Sequence, residues 1–239
     1  MNGNLKGKVV LITGATGALG SAVTREFARS QAHLALTGRS SEKLTQLTTE
    51  IDVPEERIVT MAADITRQEE VDDLVEAVIA RFDAVDALLN IAGGWSGGKP
   101  VAETPVEKWD HMLDLNLRAA FLLSKAVIPY MARAGWGRIV HISSKTAVKP
   151  RAKQAAYAIA KMGVITLTDV IAAEVKDSGI TANVVLPSII DTPDNRKYMP
   201  NADPDKWVPP RQIAALLRYL CSHAASSING AQIPIYGAV

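Results

Sequence analysis

Short apolar runs and amphipathic segments take turns along the whole chain, and no other feature limits its possible folds so sharply. Runs rich in Val, Ile and Leu, short enough for buried strands, occur at Val9–Thr13, His33–Thr37, Arg57–Ala62, Ala87–Ala92, Arg138–Ser143, Thr181–Leu186 and Gln232–Tyr236. Between them apolar residues recur at helical spacing, as in Leu19, Ala22, Val23 and Phe27, and again in Val71, Leu74, Val75, Val78 and Ile79. Strands apolar on both faces must be covered on both, and parallel neighbours need a crossover helix. The expected class is therefore α/β, doubly wound: a mostly parallel seven-stranded sheet with helices on either side.

Local signals set some boundaries. Thr104-Pro105-Val106-Glu107 offers an N-cap, a proline at the first helical position and a Glu able to close a capping box, so a helix is expected to start there. Gly179 stands between an apolar helix beginning near Tyr157 and the strand at Thr181, where a left-handed C-cap residue is wanted. Pro234 lies inside the last strand and puts it on a sheet edge. Residues 187–210 carry six prolines and no regular periodicity, and are expected to form a loop covering substrate.

Composition narrows the partners. The 239 residues suit one domain, and 26 Lys plus Arg against 25 Asp plus Glu leave a formal net charge of +1. No bulk electrostatic pull toward nucleic acid or anionic lipid follows, which points to a small-molecule partner. Cys221 is the one cysteine, which fits a reducing compartment and a cytoplasmic location. The opening MNGNLKGK lacks the apolar run of a signal peptide, and no apolar stretch approaches the roughly 20 residues of a membrane span, so a soluble protein is expected. His33, His111, His141 and His223 lack metal-ligand spacing, so no metal is expected; Glu55-Glu56 and Asp72-Asp73 read as solvated faces.

The first strand runs straight into Thr13-Gly14-Ala15-Thr16-Gly17-Ala18-Leu19-Gly20 and then a helix. In that context Gly14 permits the turn, Gly17 lets backbone approach a pyrophosphate, and Gly20 allows close helix packing, with the phosphates at the helix N-terminus. Here the chain resembles the short-chain dehydrogenase/reductase family over nearly all its length. The family's TGxxxGxG differs by Ala18 at the middle glycine, with Gly17 one place earlier. Asp64, with Ile65 beside it, stands where the adenine ring is usually held. Asn90-Ile91-Ala92-Gly93 resembles NNAG, with Ile91 for the second Asn. Pro187, Ile190 and Thr192 fall in a PGxxxT-like segment beside the nicotinamide amide, with Ser188 for Gly. The resemblance implies one Rossmann-type NAD(P)-binding oxidoreductase domain over 1–239.

Cofactor choice turns on Leu36-Thr37-Gly38-Arg39-Ser40. Gly38 occupies the place of the carboxylate that an NAD enzyme presents to both ribose hydroxyls, while Arg39 and Ser40 can grip a 2′-phosphate; NADP(H) is expected, with NAD(H) possible. Tyr157 and Lys161 are i and i+4 neighbours on one helical face. Lys161, together with a nearby nicotinamide cation, is expected to lower the phenol's pKa, making Tyr157 a usable acid/base, and Lys161 is expected to bond the nicotinamide ribose. Ser144, at a strand end, would hydrogen-bond the carbonyl oxygen. By resemblance Asn116 completes a tetrad, supporting a helix bend and a water-linked relay to the lysine.

Trp95, within Gly93-Gly94-Trp95-Ser96-Gly97-Gly98, has little core to join and is expected to line the substrate pocket. Together with Gly17–Ser21 and 191–200 it resembles dihydropteridine reductases, so quinonoid dihydropterin reduction is an alternative to a carbonyl/alcohol reaction. Ser144, and Gly38 in place of an acidic residue, speak against it. A cofactor-binding protein without turnover is a further alternative, disfavoured by the filled tetrad. Reduction of carrier-bound acyl groups needs a basic docking patch, for which Lys125 and Arg133 are too few. The family usually forms homotetramers, which implies a tetramer or dimer through helices near Asn116–Ala134 and Tyr157–Ser178.

Overall fold

The computed structural model describes residues 5–239, and the first four residues of MNGNLKGK lie outside the described residues. Seven strands form one sheet: β1 (Val9–Thr13), β2 (His33–Gly38), β3 (Ile58–Ala62), β4 (Ala87–Asn90), β5 (Gly137–Ile142), β6 (Ile180–Pro187) and β7 (Gln232–Ile235). Their order is β3-β2-β1-β4-β5-β6-β7, every pair parallel. The helices are α1 (Ala18–Ala28), α2 (Ser41–Glu50), α3 (Gln68–Phe82), α4 (Val106–Leu113), α5 (Ala119–Ala134), α6 (Lys145–Val148), α7 (Ala155–Glu174), α8 (Pro193–Tyr198) and α9 (Pro210–Leu220).

The period-2 geometry of β1 splits its apolar residues between two cores. Val10 and Ile12 face Val23 and Phe27 of α1, Leu44 of α2 and Leu217 of α9. Val9 and Leu11 face Leu74 of α3 and Leu122 and Val127 of α5. Phe27 is fully buried, so its truncation to Ala would cost about 3–5 kcal/mol. The outermost strands depart from the two-faced pattern: β3 and β7 carry alternating exposed positions, because helices cover a sheet edge less completely than its centre. Pro234 sits on that β7 edge, as its missing N–H requires.

Several local expectations fail for identifiable reasons. The capping box does not form: Thr104 Oγ1 donates to Pro100 O at 2.9 Å, and Pro105 itself is the N-cap of α4. The helix expected over 116–134 is interrupted by a π-turn at Asp114–Arg118, so α5 begins at Ala119. Gly179 is left-handed, at φ +75°, but α7 has already ended at Glu174 and the glycine serves the turn into β6. Residues 187–210 are not irregular. They hold α8, a 3-10 turn at Pro204–Lys206 and a parallel bridge from Ile190 to Val208, with Trp207 and Val208 in the core.

Among the described residues one helix, α7, is long and apolar enough to cross a membrane, contrary to the reading of the sequence. Half of that helix is buried inside the fold, with Val164 and Ile165 against Val184 and Leu186 of β6. Its apolarity is that of a core helix.

Candidate active site

The direction of strand addition reverses between β1 and β4, and such switch points open a crevice at the C-terminal ends of the strands. Thr13 and Asn90 are register partners at that edge, and Thr13 Oγ1 donates to Asn90 Oδ1 at 2.9 Å. The same Thr13 oxygen accepts from the backbone N–H of Ile91 and of Ala92, both at 3.1 Å, which fixes the loop leaving β4. Asn90 Nδ2 lies 3.3 Å from His141 Nδ1, and His141 Nε2 lies 3.2 Å from Ser124 Oγ. Because Ser124 Oγ donates to Ala120 O, it accepts from His141 Nε2, which assigns the proton of the neutral ring to that nitrogen. Burial, and next the charge of Lys161, push His141 down to about 4.

The glycine turn has the shape of a phosphate cradle. Gly14 has φ +63°, and a Cβ there would stand 2.9 Å from Ala92 Cα; a Cβ on Gly20 would strike the Gly14 carbonyl. Gly17 N donates to Gly14 O at 3.0 Å and is the N-cap of α1, which has no side-chain cap and no acidic residue in its first turn. Leu19 is buried beneath it in the core. The free N–H groups and dipole of α1 therefore face the crevice, and the residues present fit a dinucleotide diphosphate.

At the end of β2, a Cβ on Gly38 would lie 3.2 Å from Thr16 Oγ1, so a longer side chain there would press on the turn. Arg39 is exposed, and Ser40 accepts from Lys43 N as the N-cap of α2. Asp64 is held below its usual range, first by the Thr66 hydroxyl and Thr66 N–H and further by the charges of Arg67 and Arg39. Its neighbour Ile65 is buried. Across the crevice Pro187 ends β6, Ile190 bridges to Val208, and Thr192 caps α8 by accepting from Asn195 N at 3.2 Å.

The four expected tetrad residues come together. Ser144 is buried at the N-cap of α6 and accepts from Thr146 N at 3.1 Å, which leaves its O–H free to turn toward the neighbouring Tyr157 phenol. Burial raises Tyr157 above its ordinary value, and the Ser144 bond pulls it partly back. Lys161 makes no contribution to that shift. The Lys161 ammonium points at Ile142 O, 2.9 Å away, and stands 5.9 Å from the Tyr157 ring centroid. Burial brings Lys161 itself down to about 8.

Asn116 sits in the π-turn and clasps the loop after β4. Its Nδ2 donates to Met112 O at 3.0 Å and Gly94 O at 3.1 Å, and its Oδ1 accepts from Gly94 N at 3.2 Å. A methyl group on Gly93 would stand 2.9 Å from Asn116 Oδ1 and 3.1 Å from Lys161 Nζ, so the glycine backbone is what brings those two groups so close. Trp95 is 61% exposed on that loop, free to meet a ligand.

Sequence reasoning missed Thr13, Ser124 and Ile142 O, and it missed Ser143, whose Oγ donates to Lys161 O at 2.7 Å and ties β5 to α7. It also passed over Gly163, where a Cβ would come within 2.7 Å of Leu117 Cδ2. A glycine inside a helical pattern is the signal that could have disclosed that close approach.

A seven-stranded parallel sheet with a glycine cradle at its switch point, and a Ser, Tyr, Lys and Asn set beside it, defines a dinucleotide-dependent oxidoreductase. The short chain dehydrogenase family profile matches residues 8–203. D-beta-hydroxybutyrate dehydrogenase of Rhizobium meliloti is 30% identical, covering 96% of this chain and 97% of the relative. A 3-oxoacyl-(acyl-carrier-protein) reductase of Thermotoga maritima is 30% identical over 98% of each chain. The crystal structure of levodione reductase superimposes with a TM-score of 0.90 at 29% identity, covering 98% of this chain and 97% of that one. The chain belongs to the short-chain dehydrogenase/reductase family, whose members use NAD(P) and act on CH–OH/C=O groups.

Proposed function

We propose that this protein is an NADP(H)-dependent oxidoreductase that interconverts a small-molecule ketone or aldehyde and its alcohol, with Tyr157 as acid/base. The observation that supports this most directly is that the Ser144 hydroxyl stands close enough to the buried Tyr157 phenol, at the C-terminal edge of the sheet, to pull its pKa partly back. When bound, the nicotinamide ring supplies or takes up the hydride, and the chain's residues manage the proton and the developing charge.

Ser144 donates its O–H to the substrate oxygen and holds it as negative charge grows there. Tyr157, whose phenol burial raises above its ordinary value, gives that oxygen its proton, which suits the reducing direction. Lys161 is the nearby cation able to stabilise a phenolate when the reaction runs backward, and it bonds the nicotinamide ribose. Asn116 holds the loop after β4 and supports the bend before α5. Trp95 walls the substrate.

The NADP(H) preference rests on Arg39, exposed beside Gly38 where no carboxylate stands to repel a 2′-phosphate. Gly14, Thr16, Gly17, Leu19 and Gly20 cradle the diphosphate, Asp64 and Ile65 flank the adenine, and Asn90, Ala92, Gly93, Pro187, Ile190 and Thr192 border the nicotinamide half. The protein assembles as a homodimer or homotetramer through α5 and α7, which leave Phe121, Ile159, Met162 and Val170 exposed, and it works in the cytoplasm.

The test is Tyr157→Phe assayed with NADPH and a ketone panel. Loss of kcat by at least about 10³-fold, with NADPH affinity retained, is the expected result. Full ketone reduction by that variant refutes the assigned role.

A further inference from the structure

Beside the tetrad lies a group of cations to which the proposed reaction gives no task. Lys99 on the loop after β4, Lys108 on α4 and Lys153 just before α7 line one cleft. None of the three is in an ion pair among the described residues, although Glu103, Glu107 and Asp110 are near in sequence. Unpaired like charges around one cavity repel each other, and an anion placed among them removes that repulsion.

The cleft touches the catalytic parts at two points. Ala156 in its wall is the residue before Tyr157, and Met112 in its lining contacts Asn116 Nδ2 through its sulfur at 3.7 Å and its carbonyl at 3.0 Å. Its rim is held in place. Gly98 N donates to Lys153 O at 2.8 Å, and a Cβ on Gly97 would lie 2.8 Å from the same oxygen. Lys153 has φ +67°, a left-handed conformation that lysine rarely adopts, and this backbone contact accompanies it. Both α4 and α7 start at the cleft without side-chain caps; Glu107 offsets the positive end of α4, while the first turn of α7 has no acidic residue and its positive end adds to the lysines. The cavity volume is about 20 Å³, room for a single small polar group rather than a whole substrate.

We propose that this cleft is the anion subsite of the substrate pocket. The ketone or alcohol substrate carries a carboxylate, which Lys99, Lys108 and Lys153 hold while its carbonyl faces Tyr157. The inference rests on the oxidoreductase reading above and names the substrate class for it: oxo acids and hydroxy acids rather than neutral ketones.

Two measurements test it and keep the two readings apart. In the first, butyrate and its uncharged counterpart methyl butyrate are titrated calorimetrically into the NADPH-bound protein. Binding of butyrate but not the ester, weakened at least tenfold in Lys99→Gln/Lys108→Gln/Lys153→Gln, supports the subsite. No butyrate binding, or equal affinity in the variant, overturns it. In the second, kcat/KM is compared for short 2-, 3- and 4-oxo acids and their methyl esters. A preference for the acid in the wild type, and an acid-to-ester ratio at least tenfold lower in the triple variant, is expected; an unchanged ratio overturns the subsite. Should the triple variant fail to fold, the three single Lys→Gln variants replace it, and a butyrate affinity unmoved in all three counts against the proposal. Lysine-dependent butyrate binding without turnover of any acid or ester refutes the oxidoreductase reading and leaves the anion site standing.

Discussion

Gly93→Ala is the sharpest test of how the site is held together. The added methyl group would sit 2.9 Å from Asn116 Oδ1 and 3.1 Å from Lys161 Nζ. Comfortable separations are about 3.5 Å, so the two groups must retreat by roughly half an ångström. Neither is free to do so: Asn116 is tied to Gly94 and Met112, and Lys161 to Ile142 O. A misplacement of 1 Å costs on the order of 10²-fold in rate, so half of that predicts about a tenfold loss in kcat, or ~1.4 kcal/mol. Overpacking adds about 1–3 kcal/mol of destabilisation, and each kcal/mol lowers Tm by about 2–4 °C in a chain of this size. The control is Gly137→Ala, whose methyl group would meet the Met131 sulfur at 2.6 Å at the opposite end of β5. It should lower Tm comparably and leave kcat alone. Steady-state kinetics and thermal unfolding of both variants decide the matter; a Gly93→Ala enzyme with kcat within twofold of wild type refutes the reasoning.

Arg39→Ala should lower kcat/KM for NADPH by at least about tenfold while leaving NADH nearly untouched, because it removes a charge-assisted contact made only to the 2′-phosphate; an unchanged NADPH/NADH ratio sinks the assignment. His141 titrates near 6.5 when unfolded and about 4 when folded, so the unfolded chain binds the extra proton first and stability falls as pH drops through that interval. The loss amounts to on the order of 3 kcal/mol. Urea unfolding at pH 7 and pH 4.5 should show a smaller pH-dependent loss in His141→Asn than in wild type, and equal losses would show that His141 is not the group responsible.

Much of this was legible because its causes are local. The first two strand runs owe their burial to side chains that any parallel sheet must hide, and Gly14 and Gly20 announce a cradle because no other residue fits there. Tyr157 and Lys161 share a helix face by spacing alone. What sequence could not show depends on contacts between distant segments. Thr104 lost its cap to Pro100 O, a competitor four residues upstream. The π-turn at Asp114–Arg118 coincides with the clasp that Asn116 makes on Gly94, and periodicity does not register it. Tyr157 was expected to acidify beside a lysine and a nicotinamide cation, yet in the protein alone its burial dominates, and burial is set by segments distant in sequence. Lys99, Lys108 and Lys153 look like ordinary surface charges until folding puts them around one cleft.

The bridge between Ile190 and Val208 limits how the molecule can breathe. Ser188 is bonded to the Tyr236 carbonyl and Trp207 is packed in the core, so both ends of this cover are riveted to the sheet. The arch between them carries α8, and its ends are tied again where Asp191 N donates to Val208 O and Ala238 N to Lys206 O, both at 2.9 Å. The segment between them is therefore a handle fastened to the sheet at two posts, and a push on one post is shared with the other.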